Sequence, residues 1–143
     1  MNTHCRHIVF FNIVLVALAC ARNCYAAADL VADISALPEI VITNTGDTVS
    51  RPHFVTLQCL NLEGGGCARS PAMAPYVHPT FPGLHVMRIP ELRPGQSHMH
   101  VLSFWQELRW QPGIYRMRVK SDAGDHVTEL DEKNNLASVV VSH

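Results

Sequence analysis

Three groups of side chains in this chain have residue types and spacing that could support chemistry. Cys59 and Cys67 flank Leu60-Asn61-Leu62-Glu63-Gly64-Gly65-Gly66, where three glycines let the chain fold back on itself. The pair reads as a disulfide; a redox pair would favour Cys-x-x-Cys, and a zinc thiolate site would need further soft ligands. His98 and His100 lie two apart, so on a strand they share a face. With His53, His78, His85 or His126 they could offer imidazole nitrogens to zinc or copper. The alternative is a polar strand face with Met99 and Val101 turned to the core. Asp122, Asp125, Glu129, Asp131, Glu132, Asn134 and Asn135 form an acidic, amide-rich segment. Asp125, Glu129, Asp131 and Asn134 are its candidate calcium ligands, because calcium collects hard oxygens. The spacing departs from an EF-hand loop, and the competing reading is a turn held by Asn and Asp side chains bonding to the backbone.

Aromatic residues supply the candidate binding surface. Trp105 and Trp110 bracket Gln106-Glu107-Leu108-Arg109 and would serve as a protein hot spot or sugar platform if exposed, or as core if buried. The stretch from Leu60 to Gly83 is long for a connection and holds Pro71, Pro75, Pro79 and Pro82 among Met73, Tyr76, Val77 and Phe81. Tyr76 and Phe81 join the two tryptophans as candidates. The segment reads equally as a binding loop or as a cover over one end of the fold.

The elements that must position these groups begin after a leader. Met1 to His7 carries Arg6, Ile8 to Ala21 is apolar apart from Asn12, and small residues follow through Ala26-Ala27-Ala28. This is the pattern of a secretory signal peptide over residues 1–26, cut after Ala26 or as late as Ala28. The apolar run is short for a membrane anchor, and Ala17-Leu18-Ala19-Cys20 fits a lipobox poorly. Removing the leader leaves Cys59 and Cys67 of the five cysteines, in an oxidising compartment that favours joining them. It also leaves nine basic against twelve acidic side chains, a net charge of −3, which speaks against a nucleic-acid partner held by a basic field.

Residues 27–143 read as one domain of short strands. Alternation places Leu30, Ala32 and Ile34 on one face of a strand, and Val55, Leu57 and Cys59 on one face of another. Glu39 to Thr43 is β-branched, and Leu84 to Ile89, Ser97 to Phe104 and Leu136 to Val141 supply further strands. In Ile114 to Val119, Tyr115, Met117 and Val119 should face inward and Arg116 and Arg118 should face water. Helix is limited to one turn over Glu107 to Trp110. About seven strands bounded by turns such as Pro94-Gly95 and Pro112-Gly113 predict an all-β fold, an antiparallel immunoglobulin- or fibronectin-III-like sandwich.

Three segments then carry a family resemblance: Ile40-Val41-Ile42-Thr43-Asn44-Thr45-Gly46-Asp47; Leu92-Arg93-Pro94-Gly95-Gln96-Ser97; and Pro112-Gly113-Ile114-Tyr115-Arg116-Met117-Arg118-Val119 followed by Val127-Thr128-Glu129-Leu130-Asp131-Glu132-Lys133-Asn134-Asn135. In this order they resemble the bacterial cell-adhesion-related domain, the CARDB type, from Asp29 to Val141, and Glu-x-x-Glu-x-Asn-Asn is the most specific element. The resemblance implies a sandwich outside the cell membrane, without catalysis, used for binding or adhesion. The chain departs by having a single copy and the Cys-Gly-Pro insertion. Hydrolase, metalloprotease and phosphate-loop motifs are lacking, so no catalytic residue and no cofactor is expected. The expectation is a periplasmic or secreted binding module whose ligand is a protein or polysaccharide. The alternatives are a metal- or calcium-binding protein and an accessory subunit that pairs through an edge strand.

Overall fold

The computed structural model describes residues 26–80 and 85–143. Seven strands form two antiparallel sheets: β1 (Leu30–Asp33), β2 (Glu39–Asn44) and β5 (Ser97–Val101) in one, β3 (His53–Asn61), β4 (His85–Ile89), β6 (Ile114–Lys120) and β7 (Leu136–Ser142) in the other. The strand orders are β1-β2-β5 and β4-β3-β6-β7. The all-β sandwich expected from the alternation is therefore present. The expected signal peptide and Phe81 lie outside the described residues, Ala26 apart.

Period-two patterning decides which side chains enter the core. Leu30, Ile40, Ile42, Val55, Leu57, Ile89, Met117 and Val119 are buried between the sheets, and Tyr115 is fully buried on the same face of β6. Arg116 and Arg118 alternate with them and are exposed. Tyr115 donates its hydroxyl to Gln111 O at 2.9 Å, which satisfies the polar end of a buried ring.

β5 corrects one expectation. Met99 and Val101 face solvent, 56% and 52% exposed, and His98 and His100 face the interior. The cause is register. β2 pairs with β5 so that Ile40 lies opposite His100 and Ile42 opposite His98. Opposite residues share a face, and the two isoleucines of the central strand claim the core face. β5 also ends earlier than expected, because Leu102 N bonds to Pro38 O and the chain turns into a short 3-10 helix at Trp105–Glu107.

Where it is described, the long connection after β3 packs against the sandwich. Cys59 and Cys67 are joined, with their Cα atoms 6.2 Å apart. A 3-10 helix, Pro71–Tyr76, follows, with Ser70 Oγ accepting from Ala72 N at 3.2 Å and Ser70 N directed at Met73 Sδ. Ser70 Oγ also donates to Glu107 Oε2 at 3.1 Å, tying the two short helices together. Met73 is buried, so this part of the connection acts as a cover.

Candidate functional site

The residues singled out by sequence resolve into a clamp, a histidine seam and an open sheet edge. The clamp comes first because it explains most of the polar motifs. Asn44, fully buried at the end of β2, accepts from Asp29 N and Gly46 N, each at 3.1 Å, and donates to Thr48 O at 2.7 Å and Leu92 O at 2.9 Å. Its backbone bonds to Gly95 and Gln96. Gly46 sits so close to the backbone of residues 27–29 that a Cβ there would collide with it. Asn-Thr-Gly-Asp and Arg-Pro-Gly-Gln are thus two halves of one lock on the segment entering β1.

The acidic segment locks the same segment from the other side. Glu129 Oε2 accepts from Leu30 N at 2.7 Å, and Glu129 Oε1 accepts from Asn135 Nδ2 at 3.1 Å. Asn134 Nδ2 donates to Asp29 Oδ1 at 2.7 Å. Asp122, fully buried with φ of 43°, accepts from His126 N and Val127 N through its two carboxylate oxygens. Asp131 accepts from Lys133 N, and Asp125 is ion-paired to Lys120 at 3.0 Å. The four calcium candidates Asp125, Glu129, Asp131 and Asn134 are engaged with separate internal partners. Burial pushes the Glu129 carboxyl up to about 7, against the lowering effect of its bonds from Leu30 and Asn135.

The histidine seam lies where the edge strands β4 and β5 face each other across the sandwich. His85 Nε2 and His100 Nε2 are 3.0 Å apart, and the His85 ring packs against Tyr76 at 4.1 Å and Phe104 at 4.9 Å between centroids. His85 is fully buried and its Nδ1 lacks a hydrogen-bond partner. Burial, and then the neighbouring His100, lower the His85 imidazole to about 4. His53 bonds through Nδ1 to Arg51 O at 2.9 Å, and burial lowers its basicity too. Among the described residues no three His, Cys, Asp or Glu side chains converge as metal ligands.

Of the aromatic candidates, Tyr76, Trp105 and Trp110 are partly buried and pack against the core. Trp110 stacks on His143 at 4.3 Å with rings nearly parallel and meets Tyr115 edge-on at 4.8 Å. These rings close one end of the sandwich.

β7, like β1, β4 and β5, is an edge strand. Among the described residues it pairs with β6 alone. Gly113 and His143 exchange both backbone bonds, so in the alternating antiparallel ladder 115/141, 117/139 and 119/137 are the bonded pairs. The N–H and C=O groups of Leu136, Ser138, Val140 and Ser142 therefore point away from β6. Their side chains lie on the solvent face, with Leu136 47% and Val140 53% exposed. The strand Leu-Ala-Ser-Val-Val-Val-Ser has no charge, proline or glycine. Natural edges usually carry such devices against pairing. Beside it on the same face stand Arg116, opposite Val140 and Leu60, and Arg118, opposite Ser138.

The family model of CARDB matches residues 27–139. The chain belongs to the CARDB family. A solved structure of the CARDB domain of a Pyrococcus furiosus protein, in complex with di-metal ions, has the same fold at a TM-score of 0.56 and 18% identity, over 82% of this chain and 94% of that one. Among curated proteins none matches. CARDB membership supports a noncatalytic, extracellular-type domain in general terms. It also recasts the motifs that carried the resemblance, since Asn44, Gly46, Gly95, Glu129, Asn134 and Asn135 are the clamp around the start of β1.

Proposed function

We propose that the chain is an exported, noncatalytic binding module of the cell envelope or extracellular space that takes up a partner polypeptide along the free edge of β7. The observation that carries this reading is the row of outward backbone groups at Leu136, Ser138, Val140 and Ser142, on an edge without charge or proline. Strand addition satisfies such groups directly and takes specificity from alternate side chains. Adhesion within a larger assembly is one use of such a contact.

Ser138→Pro tests it, because Ser138 N–H points away from β6 and the change removes no bond of the β6–β7 ladder. Envelope extract passed over immobilised wild-type protein should yield a partner that the Ser138→Pro protein fails to retain. Equal retention by both proteins contradicts the reading.

A metal-binding reading has one specific observation behind it. His85 and His100 bring two imidazole nitrogens within 3.0 Å, and the Pyrococcus furiosus relative was solved with di-metal ions. Elemental analysis of protein purified without a histidine tag decides it. Bound zinc or copper lost in His100→Ala supports a site on the seam; metal-free protein contradicts it.

A further inference from the structure

Resting on the strand-addition reading, we infer that the partner segment is acidic, and that Arg116 and Arg118 select it. Both guanidinium groups belong to exposed residues on the outer face of β6, and among the described residues neither has an acidic side chain within ion-pair distance. Lys120, the next outward residue on β6, is already neutralised by Asp125 at 3.0 Å. The described protein is acidic overall, so two unpaired arginines on one strand form a local reversal of its charge.

Geometry sets how a partner meets them. A strand added to β7 lies two strand spacings from β6, roughly 10 Å. An arginine leaning over Val140 or Ser138 and a glutamate leaning back together span that gap. Carboxylates on the added strand would then gain bidentate, charge-assisted bonds in a geometry a lysine could not copy. A strand whose carboxylates face the arginines turns its alternate side chains to the opposite face, where the half-buried Ala137, Val139 and Val141 of β7 offer aliphatic contact. The chemistry recognised is an extended peptide alternating acidic and aliphatic side chains. An acidic polysaccharide fits less well, because the β6–β7 face bears no aromatic ring for sugar stacking and a glycan makes no use of a free strand edge.

The experiment measures fluorescence anisotropy of three labelled peptides that alternate valine with glutamate, glutamine or lysine, together with an oligouronate. Each is titrated with wild-type protein, Arg116→Gln/Arg118→Gln and Ser138→Pro. The glutamate peptide should bind wild type about tenfold more tightly than the glutamine peptide. That preference should vanish in Arg116→Gln/Arg118→Gln and weaken with salt. All peptide binding should vanish in Ser138→Pro. Circular dichroism confirms that the variants, changed only at exposed positions, keep their fold. Equal binding of glutamate and glutamine peptides that is still lost in Ser138→Pro overturns the acidic preference and leaves strand addition standing. Peptide binding indifferent to Ser138→Pro overturns both. Oligouronate binding that needs the arginines but ignores Ser138→Pro also overturns the inference, in favour of a glycan.

Discussion

Replacing His85 by glutamine should remove a defined part of the protein's sensitivity to acid. His85 is fully buried and its imidazole is lowered from 6.5 to about 4, first by burial and then by His100. A base lowered in the folded state contributes stability that is present above 6.5 and lost as pH falls towards 4, because the unfolded chain takes the proton first. At pH 4.5 the loss from this group is about 2–3 kcal/mol relative to pH 8. Urea denaturation with the disulfide intact measures it, since that loss corresponds to a midpoint shift of about 1–2 M for a domain of this size. Glutamine can still hydrogen-bond His100 but does not titrate. The readout is the stability gap between wild type and His85→Gln, which should narrow by about 2–3 kcal/mol between pH 8 and 4.5. Taking the gap cancels Glu129, which sits in the clamp and titrates in both proteins. A gap that stays constant with pH would refute the reasoning about the seam.

Glu129 should show the opposite sign: a carboxyl raised to about 7 favours folding below its ordinary 4.5 and loses that contribution as pH rises through 7. Glu129→Gln should therefore abolish about 1–2 kcal/mol of stability loss between pH 5 and 8, after allowing for partial solvent screening, as read by urea melts. Cys59→Ser/Cys67→Ser should cost about 2.5 kcal/mol in the chain-entropy account of a loop this short, seen as a lower denaturation midpoint with an intact β-type circular dichroism spectrum. Asn44→Ala leaves two carbonyls and two amides of the clamp without their partner and should cost about 3 kcal/mol in the same assay.

The strands were readable because alternation of small sets such as Tyr115, Met117 and Val119 against Arg116 and Arg118 directly reports a two-faced sheet. The Cys59–Cys67 pair was readable from spacing and the glycine run. The histidines were not, because Ser-His-Met-His-Val alternates equally well in either orientation. Only the register against Ile40 and Ile42 decides which set turns inward. His85 gave no local signal of its link to His100, since that contact depends on how two sheets stack. The acidic segment left a calcium set and a turn held by its own side chains both open in sequence, because carboxylate number is visible there and hydrogen-bond destination is not. Its most specific residues, Glu129, Asn134 and Asn135, reach back about a hundred positions to Asp29 and Leu30 or stay within their own turn. The free edge of β7 needed the pairing order, although its β-branched, uncharged composition already suited strand addition.

The central claim is that β7 receives a partner strand, and backbone amide hydrogen exchange on the complex tests it most directly. With the glutamate–valine peptide or the native partner bound, the amides of Leu136, Ser138, Val140 and Ser142 should become protected, while those of Ala137, Val139 and Val141, already bonded to β6, should change little. Exchange at the four outward amides that is unaltered by a saturating partner would contradict the account.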